Sequence, residues 1–321
     1  DEFEIASGQR INIEKSGIVP SRRLDEMEAV RCRVAWPGIR ILYNTRVLGL
    51  RIGIEATVED QYSSAMEKFN RALNDFGALR QRISTVMRIG VINVFLYSLF
   101  SFVTRFFYMP VRLLKIVENQ ILRFLTPIPF SAVGIFSHLK SIYGIHYALR
   151  DLRLSNIAAL LSTYIGDSAN QRWLCRSLGR IREDERSLRR YQPLEHPAQS
   201  WLVSNAFFLR VVGTDPGDLY EQSLPSPRRR GLLDLKLPSK QKVLYAALVE
   251  AEEQVWLRYL KHRVEKRGWD GVMFSQGLSS IPPDLTQGQR WHLLKLHLNG
   301  HLTYSHLHTA IPLKVPVVEP C

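Results

Sequence analysis

The feature that most constrains the fold is an uncharged run of 16 residues, Ile89–Thr104, bounded by Arg88 and Arg105. A helix of this composition has to bury nearly all of its sides, either among other helices or in lipid. A transmembrane helix needs roughly 20 apolar residues, and this run contains the polar Asn93. We therefore predict a helix buried in a bundle, with no stable membrane insertion. A membrane span or an amphipathic anchor is the alternative.

The flanking sequence predicts the other helices of this bundle. A first amphipathic helix is expected from about Thr57 to Ile83, a second from Ser84 to about Tyr108, and a third from Pro110 onward. On the third helix, the apolar positions expected to face the core are Val111, Leu114, Val117, Ile121 and Leu125. Its opposite face carries Arg112, Lys115, Asn119 and Arg123.

A small β-hairpin is predicted just before the bundle. Two runs of β-forming residues, Ile39–Tyr43 and Arg46–Ile52, flank Asn44 and Thr45, which would form the turn. The expected fold class is therefore mainly α with one small hairpin.

Charge is concentrated in the middle of the chain. Residues 61–165 carry 12 basic and 4 acidic side chains, a net charge of +8, within a chain of net charge +13. Such a surface attracts polyanions, namely nucleic acid or anionic lipid. The apolar fraction of 45% excludes a wholly disordered chain.

The cysteines indicate a reducing compartment. Cys32, Cys175 and Cys321 are far apart in the sequence, which argues against a disulfide framework or a complete zinc site. The first residues show no secretory signal pattern. We expect an intracellular protein, either nuclear or cytoplasmic.

Proline, glycine and arginine cluster between Gly213 and Pro238, which predicts a linker. Together with the charge distribution and the helical periodicity, this linker divides the chain into five expected segments: 1–56, 57–128, 129–212, 213–238 and 239–321.

Four segments match patterns of one family. Phe3–Pro20 is similar to "F…SGLxxNxxKSxxxP", Val47–Gly53 to "YLGI.IG" with Val47 in place of the Tyr, residues 83–110 to a thumb-helix pattern, and Gly144–Leu161 to "GGLGLxDLxxxNxALL". In this order they resemble reverse transcriptases of LINE-type (non-LTR) retrotransposons. The resemblance implies a palm remnant, a three-helix thumb and a helical C-terminal extension.

A fifth, fainter match lies near the C-terminus. Arg290–Leu302 resembles the helix that precedes the zinc-binding segment of such enzymes, and Cys321 stands where the first of four ligands would be. The resemblance thus implies Cys321 as a truncated ligand position and no complete metal site. Mg²⁺ and Zn²⁺ would be cofactors of the full-length family only.

The resemblance also implies roles for individual residues. Asn12 and Lys15 would border the incoming nucleotide, and Leu48 and Gly49 would belong to the primer grip. A turn-stabilising Asn and a solvated Lys are the alternative. The cations expected to contact the nucleic-acid backbone are Arg88, Arg105, Arg112, Lys115, Arg123, Lys140, Arg150 and Arg153.

Polymerisation needs clustered carboxylates that hold two metal ions. The sequence contains neither an Asp-Asp pair nor a Tyr-x-Asp-Asp motif. We therefore expect a fragment that binds RNA and RNA–DNA hybrid as the template-primer-gripping part of an RNA-directed DNA polymerase, without catalysis of its own. A non-enzymatic basic protein, or a membrane-associated helical one, is the alternative.

Overall fold

The computed structural model describes residues 12, 16–20, 22–80, 82–125, 134–183, 197–224, 238–265 and 281–297. These residues are mainly α-helical, with two sheets of two strands each. The mainly α fold class is therefore confirmed.

The N-terminal part contains β1 (Gly17–Ile18), helix α1 (Glu26–Ala35), β2 (Arg40–Ile41), β3 (Thr45–Val47) and β4 (Leu50–Ile52). Strand β1 pairs in parallel with β2, and β3 pairs antiparallel with β4, with Thr45 opposite Ile52.

The predicted hairpin turn at Asn44 and Thr45 is wrong. The turn lies at Leu48 and Gly49, whose φ angles are 50° and 93°. Two consecutive residues with left-handed φ form the two-residue turn that matches the twist of a hairpin. The first β-rich run pairs instead with β1, far away in the sequence.

The remaining helices are α2 (Val58–Gly77), α3 (Thr85–Val91), α4 (Val111–Leu125), α5 (Leu139–Tyr143), α6 (Leu152–Tyr164), α7 (Ser168–Glu183), α8 (Pro197–Val212), α9 (Pro216–Ser223), α10 (Lys240–Glu265) and α11 (Gln287–His297). Helix α9 lies inside the segment predicted as a linker. Asp215 caps its first turn by accepting hydrogen bonds from the backbone N–H groups of Gly217 and Asp218. Residues 225–237 of that segment lie outside the described residues.

The second predicted helix is not continuous. After α3 the chain forms a π-helical turn at Ile92–Leu96 and short 3₁₀ segments at Tyr97–Phe100 and Val103–Arg105. Ile92, Leu96 and Phe100, four residues apart, are fully buried. A regular helix would place these residues on one face as well, so their burial does not explain the wider i→i+5 turn.

Burial of Ile89–Thr104 is confirmed for one face only. Val94, Phe95 and Phe102 are 62%, 55% and 44% exposed. Within the described ranges, every helix falls short of the length or the apolarity that crossing a bilayer requires.

Helix α4 shows the predicted amphipathic pattern with one exception. Leu114, Val117, Ile121 and Leu125 are buried, whereas Val111 is 56% exposed. Val111 is the first residue of the helix, so no preceding turn covers it. The buried stripe therefore starts at Leu114.

One main core joins α2, the irregular segment Ile92–Arg105, α4 and α5. It includes Leu260 of α10 and Leu294 of α11. A second cluster joins α6, α8 and α10 through residues such as Leu154, Phe208 and Leu248. The main core therefore draws residues from three of the expected segments, 57–128, 129–212 and 239–321.

A buried amide stabilises the end of the irregular segment. Asn156 Nδ2 donates to the carbonyls of Thr104 (2.9 Å) and Phe107 (3.1 Å), and its Oδ1 accepts from the backbone N–H of Met109 (2.7 Å). Asn156 is 1% exposed. A side chain of α6 thus satisfies backbone groups that the non-helical geometry leaves without helical partners.

Side chains from two further helices form hydrogen bonds to the backbone of Phe107 and Tyr108. Tyr62 Oη, on α2, donates to the carbonyl of Phe107 at 2.7 Å, and Ser200 Oγ, on α8, accepts from the backbone N–H of Tyr108 at 3.0 Å. Three helices therefore meet at residues 107–109.

A buried arginine anchors α11. The guanidinium of Arg290 donates to the carbonyls of Tyr143, Pro282, Pro283 and Leu285, each at 3.0 Å. A Cβ added at Gly144, whose φ is 62°, would lie 2.6 Å from Arg290 Nη1. Glycine at this position therefore leaves room for the guanidinium.

We predict that Asn156→Ala lowers the free energy of unfolding by about 2–4 kcal/mol. The substitution removes the Asn156 partner of the Thr104 carbonyl and of the Met109 N–H, and it leaves the Phe107 carbonyl with Tyr62 Oη alone. Urea denaturation followed by circular dichroism measures the change. The matched control is Asn119→Ala on the exposed face of α4, with an expected change below about 0.5 kcal/mol. Equal stability of the two variants would contradict the role assigned to Asn156.

Candidate nucleic-acid interface

Three cations occupy the solvent face of α4. Arg112, Lys115 and Arg123 are exposed, and none forms an ion pair with another described residue. Arg112 and Arg123 are eleven residues apart, which corresponds to about 16 Å along the helix axis. The helix therefore presents positive charge over a length that covers several phosphates of one strand.

The buried stripe of α4 fixes the direction of this face. Gln120 Nε2 donates to Asn70 Oδ1 of α2 at 3.2 Å, and Val117 and Ile121 are fully buried. Helix α4 is thus held against the core on the side opposite to the cations.

Three further predicted cations are exposed on other elements. Arg105 ends a 3₁₀ segment, Lys140 lies on α5, and Arg150 precedes α6. The backbone N–H of Arg150 donates to Asn93 Oδ1 at 2.8 Å, which places this residue beside the π turn. No hydrogen bond in the described part of the chain joins the side chains of these three residues to those on α4.

Arg88 has a role inside the fold. Its Nη1 donates to the carbonyl of Leu125 at 2.7 Å and its Nε to the carbonyl of Ile83 at 3.2 Å. The guanidinium therefore caps the carboxyl end of α4. A phosphate contact by Arg88 would require at least part of this cap to open.

Arg153 forms an ion pair inside the fold. Its Nη2 lies 2.5 Å from Glu252 Oε1 of α10, and its guanidinium carbon lies 5.2 Å from the centre of the Phe207 ring. The carboxylate neutralises the positive charge in a partly buried pair. The structure thus gives Arg153 an internal ion pair in place of the exposed charge that the sequence indicated.

Two carboxyl groups complete the cluster around Arg153. Asp151 caps α6 by accepting from the backbone N–H of Leu154 at 2.9 Å, and its own backbone N–H donates to Tyr245 Oη at 2.8 Å. Burial raises the pKa of Asp151, and the hydrogen bond from Leu154 opposes this rise. Burial, followed by the charge of Asp151, raises the pKa of Glu118 to about 7.

Neither Glu118 nor Glu252 was predicted from the sequence as a functional residue. For Glu118 a signal was nevertheless present, because only four acidic residues occur in 61–165, namely Glu67, Asp75, Glu118 and Asp151. Two of the four interact electrostatically with Arg153. An acidic residue isolated in a basic segment is therefore a candidate internal partner.

The residues assigned to a primer grip lie at the tip of the β3–β4 hairpin. Leu48 is 92% exposed, and a Cβ added at Gly49 would lie 3.2 Å from the Phe102 ring. The turn therefore lies next to the exposed side of the irregular segment.

Of the residues predicted to border the nucleotide or to mark the zinc-binding segment, Asn12 is described by the structure. The backbone carbonyl of Asn12 accepts a hydrogen bond from Ser16 Oγ at 2.8 Å. Lys15 and Cys321 lie outside the described residues. Where the structure describes the chain, no three His, Cys, Asp or Glu side chains are arranged to hold a metal ion.

No protein-family model matches this chain, and no curated protein or solved structure is detectably similar to it.

The raised pKa of Glu118 predicts a pH-dependent stability. The folded state holds the proton up to about pH 7, whereas the unfolded chain releases it near the usual value of 4.5. Stability therefore falls as the pH rises between these values. With allowance for partial exposure, Glu118→Gln should stabilise the protein at pH 8 by about 1–2 kcal/mol relative to wild type.

Urea denaturation at pH 5 and pH 8 tests this expectation. The gain from Glu118→Gln should be full at pH 8 and fall to about a quarter of that value at pH 5. Glu67→Gln, at an exposed position of α2, is the control and should give no gain at either pH. A gain of the same size at both pH values would show that titration of Glu118 is not its cause.

Proposed function

We propose that this chain binds the sugar–phosphate backbone of RNA and RNA–DNA hybrid, as the template-primer-gripping part of a LINE-like RNA-directed DNA polymerase. The observation that carries the proposal is the solvent face of α4, where Arg112, Lys115 and Arg123 are exposed without ion-pair partners among the described residues.

Free cations matter more for this function than total charge. A lysine or arginine that neutralises a phosphate releases condensed counterions, whereas a cation already paired with a carboxylate contributes little. Arg153, paired with Glu252, is therefore left out of the proposed interface, and Arg88 takes part only if its cap opens. Arg105, Lys140 and Arg150 are auxiliary contacts.

Backbone contacts of this kind position nucleic acid without reading its sequence. The order of the four resembling segments supports a thumb-like role for α2, α3 and α4. The hairpin tip at Leu48 and Gly49 would then approach the primer strand. Its exposed side chain and its position beside Phe102 are compatible with that approach.

We expect the triple variant Arg112→Ala, Lys115→Ala, Arg123→Ala to bind a labelled RNA–DNA hybrid with a weaker salt dependence. Each lost phosphate contact should reduce the log–log slope of affinity against salt by roughly 0.7–0.9, so the total change should be about 2–3. Fluorescence anisotropy at several salt concentrations measures the slope.

A second triple variant serves as the charge-matched control. Arg31→Ala, Arg33→Ala, Arg258→Ala removes the same net charge from exposed positions of α1 and α10. This control should keep the wild-type slope, and circular dichroism should show both variants folded. If both variants flatten the slope equally, general charge rather than the face of α4 controls binding.

We also expect the isolated chain to show no primer extension on a primed RNA template with Mg²⁺ or Mn²⁺, because the paired carboxylates for two-metal chemistry are missing from its sequence. A gel-based extension assay on repurified protein tests this. Extension that persists through repurification would refute the expectation.

A further inference from the structure

A cavity of about 410 Å³ lies away from α4, between the end of α6 and helices α7, α8 and α9. Its volume is within the range typical of small-molecule sites. Apolar and aromatic side chains form its inner walls, including Leu161, Tyr164 and Leu174, which are buried, and Trp201. The Tyr164 and Trp201 rings meet at 72°, with their centres 6.4 Å apart.

The mouth of the cavity is acidic, in contrast to the rest of the protein. Asp215, Asp218 and Glu221 line it and are exposed. Asp215 Oδ1 accepts hydrogen bonds from the backbone N–H groups of Gly217 and Asp218. Asp218 and Glu221 form no ion pair with any described residue. Residues 213–224 contain no lysine or arginine, within a chain of net charge +13.

The inner polar group of the cavity is also an acceptor. Asn205, on α8, lines the cavity, and its Oδ1 is buried without a hydrogen-bond partner. Binding of a donor to Oδ1 would therefore break no existing hydrogen bond of this atom. A partner that supplies N–H donors would therefore satisfy a buried acceptor that the fold leaves unsatisfied.

The fold already holds one cation at the edge of this region. Lys240 Nζ donates to the carbonyl of Ile165 at 2.5 Å and lies 5.9 Å from the centre of the Tyr220 ring. One lysine thus lies near three carboxylates, so the formal charge at this edge of the cavity is negative. Lys240 itself does not line the cavity.

We propose that this cavity binds a guanidinium group, carried either by a small organic cation or by an arginine side chain of a peptide. A guanidinium is planar, stacks on aromatic rings and presents N–H donors in a fork that matches carboxylates. Trp201 offers a ring for stacking, Asp218 and Glu221 offer carboxylates, and Asn205 Oδ1 offers a further acceptor. The assignment is independent of nucleic-acid binding by α4.

Isothermal titration calorimetry of the full chain with n-butylguanidinium tests the proposal. We expect a Kd of about 1 mM or lower, as befits a ligand of this size. n-Butylurea has a similar shape without the charge and should bind at least about tenfold more weakly. The capped peptide acetyl-Gly-Arg-Gly-amide distinguishes the sources: stronger binding than n-butylguanidinium indicates a peptide side chain, and weaker binding indicates a free cation.

Two double variants locate the binding. Asp218→Asn, Glu221→Gln removes the two unpaired carboxylates from exposed positions, so the fold should persist, and it should weaken n-butylguanidinium binding about tenfold or more. Glu67→Gln, Asp75→Asn removes the same charge from exposed positions of α2 and should leave the affinity unchanged. Absence of binding to wild type, equal binding of n-butylurea, or equal loss in both variants would overturn the proposal.

Discussion

The fold depends on the hydrogen bonds made by the Asn156 amide. Between Leu96 and Pro110 the chain departs from regular α-helical geometry, and the carbonyls of Thr104 and Phe107 and the N–H of Met109 form hydrogen bonds outside the segment. The amide supplies two donors and one acceptor to those groups from a neighbouring helix. Because Tyr62 and Ser200 bind the same stretch, the position of α4, and hence the direction of its cationic face, is tied to α2, α6 and α8.

Local signals in the sequence predicted the elements that depend on local physics. The start of α3 after Ser84 and the buried stripe of α4 follow from capping and periodicity, and both are present. The hairpin turn was mispredicted because it depends on a distant pairing: β1 takes the first β-rich run as its partner. The break after Val91 was mispredicted because it leaves no trace in the periodicity: the buried Ile89, Ile92, Leu96 and Phe100 keep the spacing of a regular helix.

The same distinction applies to the candidate interface. Helical periodicity was enough to place Arg112, Lys115 and Arg123 on the solvent face of α4. It could not show that Arg153 meets Glu252, which lies 99 residues further along the chain, because a pairing of that range leaves no periodic trace. A count of basic residues therefore overstates the charge that a ligand can meet, and only the exposed, unpaired cations define an interface.

Arg290 shows how unevenly the protein should tolerate substitution. Its guanidinium binds only backbone carbonyls, and every residue type carries a carbonyl. Side chains along residues 282–285 can therefore change without loss of these hydrogen bonds, whereas Arg290 and Gly144 have no equivalent replacement. In related sequences that had diverged elsewhere, we would expect Arg290 and Gly144 to remain unchanged while the residues that supply the carbonyls vary.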